Sequence, residues 1–401
     1  MDEKLRELPP KPGKPRKKPN ILLRSLAFLL TLALVLGAVA LVVYRDRINF
    51  DAIKRLIRYQ SLDRTETEQA EPFPHSGSAR DIFALVGGDL LTCSTAGVRL
   101  YSESGTKYVD EPVAMQNPAA VTAGIWALAY DIGGRELRVI HDRSVVFSLT
   151  LGSGESFLSA RINYSGLLAA TIQKSGYRGS VLVYDSSFTP QLQLNLSSSF
   201  VMDAAVIGGG ETLAVVTMGQ SDGLFQSRVE LYAIGQLDPQ ETPTPTAVCP
   251  LDESVILDLW DGGSEGRLLG EDALFTVAPQ GTLLGSYDFS DRYLKAYALS
   301  ADSFSALLLG RYQTGSQADL VLVGSDGSVL GSLSVSEQVL SLSAAGRYLA
   351  VLTADRLDIY TSDLTLYRTL EGTQGAQKVL MNADGTAMLV SSEYASLYIP
   401  G

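Results

Sequence analysis

The densest group of chemistry-bearing side chains in the 401-residue sequence is Asp258-Leu259-Trp260-Asp261-Gly262-Gly263-Ser264-Glu265-Gly266, with Glu271 and Asp272 close behind. Carboxylates at this spacing on a glycine-rich segment suit two tasks: oxygen ligation of a hard cation such as calcium, or a pair serving as acid and base on a glycosidic bond. Asp258, Asp261 and Glu265 are therefore the candidate ligand-binding residues. The same composition also suits a surface turn without a ligand. That plainer reading is preferred, so no catalytic, cofactor-binding or metal-binding residue is assigned.

Other chemistries are poorly supplied. A Ser-His-Asp hydrolase would have to rest on His141, because His75 lies in a linker-like stretch, and no Gly-x-Ser-x-Gly elbow accompanies it. Cys93 and Cys249 are too few for a disulfide framework or a cysteine-ligated cluster, and they are expected as small side chains far apart in the fold. Trp126 and Trp260 are too few to stack a quinone on repeated platforms. Asn382-Ala383-Asp384-Gly385 reads as an ordinary β-turn.

What must position these residues is a repeat. An alternating apolar strand, a small-residue turn and a second apolar strand recur with turns at positions 88, 124, 166, 210, 263, 303, 346 and 385, spaced 36, 42, 44, 53, 40, 43 and 39 apart. After each turn comes a third strand, in five units ending in or carrying tyrosine, as in Val181-Leu182-Val183-Tyr184 and Leu357-Asp358-Ile359-Tyr360. Most units add a fourth, such as Val145 to Leu149 and Val329 to Leu333. Four antiparallel strands per unit at this period predict an all-β fold, an eight-bladed β-propeller over residues 79–401, with seven blades as the alternative count. The long spacing contains Gln236 to Pro250, a Pro/Thr-rich stretch read as an inserted surface loop. The last unit stops after its third strand, so a segment within Glu71 to Arg80 is expected to supply its outer strand beside Tyr394 to Ile399.

Ahead of the repeat, residues 25–44 carry no charge and match the length of a transmembrane helix, bracketed by Arg24 and Arg45. A cleaved signal peptide ending near Ala38-Val39-Ala40 is the weaker alternative, because the apolar run starts late and continues past Ala40. Eight basic residues precede the run and six follow within twenty positions, which favours a cytoplasmic tail over residues 1–24 and a translocated body. Ile48, Ile53, Leu56 and Ile57 recur near helical spacing and predict a basic amphipathic helix within residues 45–62, lying on the outer leaflet or prolonging the span. Residues 63–78 read as a linker.

Charge divides the same way. Residues 1–64 hold 14 Lys and Arg against 6 Asp and Glu, and the remainder holds 18 against 38, a net −20 that argues against a nucleic-acid groove. With 46% hydrophobic and 19% charged residues the acidic part is no disordered tail.

The strand-turn-strand rhythm resembles WD40 and quinoprotein-like propellers over residues 81–401, without the Trp-Asp and Gly-His dipeptides that mark WD40 blades. The whole layout is similar to an uncharacterised family of single-pass membrane proteins from anaerobic Gram-positive bacteria. That resemblance implies no catalytic residue. The combined expectation is a signal-anchored propeller, held in the bilayer by residues 25–44, that binds an envelope protein or cell-wall component outside the cytoplasm without catalysis or cofactor. The alternative is a sensor or enzyme for a small ligand, such as a saccharide, with Asp258, Asp261 and Glu265 in the propeller channel.

Overall fold

The structure is a computed structural model that describes residues 25–26, 28–32, 35, 50–60, 62, 68–78, 80–221, 224–234, 244–251 and 253–401. The tail over residues 1–24 and most of the expected membrane helix lie outside the described residues. Residues 25–26, 28–32 and 35 are helical. Among the described residues no helix is long and apolar enough to cross a membrane. The chain divides into two compact units, Met1–Lys54 and Arg55–Gly401.

In the second unit the described strands form eight four-stranded antiparallel sheets, giving eight blades, not seven. Each of the first seven is a meander whose strands run in chain order from the channel outward. Inner strands, in blade order, are Ile82–Val86, Pro118–Ala123, Ser156–Ile162, Phe200–Ile207, Ile256–Asp261, Tyr293–Ala298, Ser341–Ala345 and Lys378–Met381. The inner strands of blades 1 and 8 are neighbours, so the ring closes. All eight turn positions read from the sequence fall between an inner strand and the next one. Seven of them are glycines with positive φ, from Gly346 at 57° to Gly210 at 105°, a conformation that a side chain would strain.

Eight apolar clusters fill the eight interfaces between blades. This explains the strand patterns. Second strands face a neighbouring blade on both sides and are buried throughout, as in Asp89–Ser94, whereas outer strands alternate, as in Ser144–Thr150.

Blade 8 departs from the meander. Its sheet joins Lys378–Met381, Ala387–Val390 and Tyr394–Tyr398 to Phe73–Pro74, a strand from the start of the unit, with Phe73 opposite Ala395 and Pro74 opposite Tyr394. The expected outer strand is thus present, within the interval assigned to it. Contact begins earlier, inside the stretch read as linker: the Ile399 amide donates to the Glu68 carbonyl at 2.9 Å and the Ala70 amide to the Leu397 carbonyl at 2.8 Å. His75, read as a linker residue, is buried here and its Nε2 lies 3.1 Å from the Ser391 carbonyl.

Within the 45–62 interval helix α1 is described over Phe50–Arg58, and residues 45–49 lie outside the described residues. Asp51 in its first turn and Arg55 and Arg58 in its last suit the helix dipole. The sequence offered two places for it, on the leaflet or as a stalk; the structure lays its carboxyl-terminal turn on the propeller. Arg55 is only 2% exposed; its Nη1 donates to the Asp384 carbonyl at 2.6 Å and Nη2 to the Tyr367 hydroxyl at 2.7 Å. Tyr59, just beyond the helix, donates to Asp384 Oδ2 at 3.0 Å and packs into the blade 8–blade 1 core. Arg58 reaches blade 1 through the Gly87 carbonyl, 2.6 Å, and Glu103, 2.8 Å.

The Pro/Thr-rich stretch also needs revision. Its end, Ala247–Pro250, is the outer strand of blade 4, while residues 235–243 lie outside the described residues. Part of the long spacing comes from blade 4 itself, whose middle strands, Thr212–Ser221 and Leu224–Ala233, run ten residues each.

Candidate functional site

Inner strands line the channel, so the polar residues they carry define its chemistry. Four successive inner strands share a register shift at the same level, between Phe157 and Ser159, Val201 and Asp203, Ile256 and Asp258, and Leu294 and Ala296. A bulge re-aims the side chains after it. Here it brings together groups from blades 3 to 6. Ser159 Oγ donates to Asp203 Oδ1 at 2.5 Å, Arg161 Nη2 donates to Asp203 Oδ2 and Asp258 Oδ1 at 2.6 Å each, and the Tyr297 hydroxyl donates to Asp258 Oδ2 at 3.1 Å.

Arg161 thus sits between two carboxylates. Burial opposes its charge, yet Asp203 and Asp258 outweigh that and hold its pKa above the ordinary arginine value. Tyr297 is pushed up to about 12 by burial and then by the Asp258 charge. Every oxygen of the two carboxylates already accepts a hydrogen bond within the network, which ties blades 3 to 6 together.

The three sequence candidates separate. Asp258 is the channel residue of this network. Asp261, at the end of the same strand, lines a small depression at the channel mouth with Arg161, Trp260 and Tyr164. Its Oδ1 accepts the Gly263 amide at 2.9 Å, and burial pushes its pKa upward. Glu265 lies on the following turn and pairs with Arg267 at 3.1 Å. Arg267 in turn is buried, donating from Nη1 to the carbonyls of Leu299, Ala301 and Phe304 at 3.1, 2.6 and 3.0 Å, and from Nη2 to that of Asp302 at 2.9 Å, all in the first turn of blade 6. Glu265 therefore orients a structural arginine. Among the described residues no group of three His, Cys, Asp or Glu side chains is placed to hold a metal ion.

The remaining candidates occupy structural positions. His141 stacks on Trp126 with ring centroids 3.8 Å apart. Cys93 is fully buried between blades 1 and 2, where burial pushes its thiol up to about 12; Cys249 is buried between blades 4 and 5.

The two ends of the ring differ. One end, the turn face, carries the turns after the inner strands and receives Arg55, Arg58 and Tyr59. The opposite face, where inner strands begin, exposes large apolar side chains: Tyr177, Phe200, Phe225, Leu257, Tyr293 and Tyr312, the last 68% accessible. The Arg178 guanidinium lies over the Phe200 ring at 4.8 Å. Leu257 and Tyr293 border a surface hollow, and a second, bordered by Tyr297 and Leu340, shares Leu294 and Lys295 with it. Periodicity did not reveal this arc, because each unit contributes only one or two of its residues.

Fold and site together define an eight-bladed β-propeller protein. Residues 58–259 match the family model described as a family of unknown function, DUF5711, which is half of the chain, and the chain belongs to that family. No curated protein matches it in sequence. In fold it is similar to the carboxyl-terminal WD40 domain of Sif2, with a TM-score of 0.58 and 14% identity over 83% of this chain and 99% of that one. The Dos1 propeller gives 0.54 and 10% over 82% and 94%. The WD40 domain of SCAP from fission yeast gives 0.53 and 10% over 83% and 98%.

Proposed function

We propose that this protein is a membrane-tethered docking module: a rigid ring, held at the bilayer through residues 25–44, that binds an envelope protein outside the cytoplasm with the face opposite α1. The observation that carries the docking role is the arc of exposed aromatic and aliphatic side chains on that face, since exposed apolar area of this extent marks interaction surfaces. The charge-paired state of the channel carboxylates supports binding over catalysis. The uncharged run and the excess of basic residues ahead of it support the tether and its orientation.

Proximity labelling from the full-length ring in native cells tests the docking role. The wild type and an Ile125→Glu control on the turn face are expected to label the same partners, and a Leu257→Glu/Tyr293→Glu double variant to lose them. Equal labelling by the double variant, or no reproducible partner at all, overturns the reading. Orientation has a separate test: a reporter fused after Gly401 that is active only in the cytoplasm reverses it.

A further inference from the structure

We propose that the outer strand of blade 6, Val329–Val335, is a self-association edge, on which the same strand of a second copy of this chain pairs antiparallel. Each blade ends in a strand with one side unpaired, and such an edge invites another strand unless charge, proline or shortness guards it. Most of the blades are guarded. The outer strand of blade 1 carries Lys107, Asp110 and Glu111, that of blade 3 opens on Pro190, that of blade 5 ends on Asp288, and that of blade 7 holds Arg368 and Glu371. Those of blades 4 and 8 run only four and two residues. Blade 6 has none of these devices: its seven residues read Val-Leu-Gly-Ser-Leu-Ser-Val, without charge or proline.

Blade 2 shares that composition in Ser144–Thr150, but Val146 is its one exposed aliphatic side chain. The strands flanking it are the charged one of blade 1 and the glutamine-bearing one of blade 3. Around blade 6 the rim is apolar instead. Val329 and Leu330 are exposed there, with Leu283 and Leu284 on blade 5 and Leu366 on blade 7. Glycines bring these blades close at the rim: a side chain at Gly285 would meet the Asp326 backbone in the last turn of blade 6, and one at Gly331 would stand 3.1 Å from Leu364 in that of blade 7. The exposed leucines and valine therefore form one patch, the kind of surface that marks an interaction site.

The occupant follows from symmetry and charge. Two identical strands paired about Ser332 would set Val329 opposite Val335, Leu330 opposite Ser334 and Gly331 opposite Leu333. Each leucine then meets a small residue, and both ends close on a β-branched pair, the combination a ladder favours. In the same register Asp326 falls opposite Gln338, and Glu337, which pairs with Arg356 at 3.0 Å, falls opposite Gly327, so no like charges face each other directly. A second copy carries the same net −20 over residues 65–401, and an uncharged stretch of rim is where two such bodies approach at least cost. The rim is neither of the two ring faces, so this proposal and the docking reading can fail separately.

The test uses the full-length chain in detergent with single added cysteines, since Cys93 and Cys249 are buried and stay inert. Opposed residues of an antiparallel pair lie about 4.5–5.5 Å apart at Cα, within disulfide reach, whereas two copies of position 330 would stand about 13 Å apart. Oxidation with copper phenanthroline is expected to give a covalent dimer from Ser332→Cys alone. Leu330→Cys mixed with Ser334→Cys should give one too, and neither of these alone. Ser148→Cys on blade 2 controls for random collision and should yield roughly tenfold less. Leu330→Lys added to Ser332→Cys should also cut the dimer roughly tenfold, while an unchanged thermal melt reports an intact fold. No dimer from Ser332→Cys, an equal yield from Ser148→Cys, a dimer from Leu330→Cys alone, or no loss with the lysine overturns the proposal.

Discussion

Blades 4 and 8 solve the same packing problem with different means. Blade 4 is one continuous piece of chain whose two middle strands pair over ten residues. Blade 8 draws its outer strand from the other end of the unit, and that strand is two residues long. What blade 4 obtains from ladder hydrogen bonds, blade 8 obtains from side chains: Phe73 in the core with Tyr101, and Arg55 and Tyr59 on its first turn. Arg55 also has a counterpart inside the ring. Arg267 likewise sets its guanidinium on the carbonyls of the first turn of the next blade, but it belongs to a central strand, whereas Arg55 belongs to helix α1, outside the sheets.

The largest effect should come from the core of the blade 8–blade 1 seam. Phe73→Ala removes a buried ring and should lower unfolding stability by about 3–5 kcal/mol, read from denaturant melts, against little change for the exposed Phe225→Ala. Equal costs for the two would mean that the seam does not limit stability.

Next come the two arginines. Arg267→Met strands four carbonyls in the interior and should cost about 3 kcal/mol. Arg55→Met should cost about 1–2 kcal/mol, because undocking of α1 returns its partners to water, and it should speed proteolysis between Arg55 and Phe73. A larger loss for Arg55→Met than for Arg267→Met would reverse the comparison.

The smallest effect concerns Asp261. Its folded pKa is raised by burial, so its ionisation opposes folding: its favourable contribution is present below the unfolded pKa and is lost as pH rises through the folded one. Asp261→Asn should therefore melt higher than the wild type at neutral pH, with the gap closing on acidification. A gap that widens toward acid would contradict the burial argument.

Much of the ring was legible because its period is carried by features with a simple physical cause. Glycine is required where the chain turns with positive φ, and strands buried on both sides must be apolar, so the turn positions and third strands follow directly. The seam was half legible. A missing outer strand is a topological debt, which pointed to residues 71–80, but the docking here was hidden, since among the described side chains Arg55 and, just past the helix, Tyr59 are buried while Ile57 is 65% exposed. Hydrophobic periodicity cannot report a buried guanidinium. The outer strand Ala247–Pro250 was masked by the prolines and threonines before it.

The channel network was out of reach for another reason. Arg161, Asp203, Asp258 and Tyr297 lie on four different blades, and Arg161 and Asp258 stand 97 residues apart. A signal did exist: Ser159, Asp203 and Asp258 each directly follow the register shift of their inner strand. Aligning the units on their turns sets Ser159 and Asp203 level, each seven residues ahead of its turn, but leaves Asp258 only five ahead of Gly263 and out of register.

The seam also imposes an order in time. Arg55 binds the carbonyl of Asp384 across 329 residues of sequence, so this contact cannot form until the last blade has been made. Until then the ring is an open arc with an apolar edge at blade 1, and Arg55, Tyr59 and Phe73 lack their partners on blade 8. Synthesis of the final strand is the event that converts the arc to a ring, captures those residues, and makes the turn face complete.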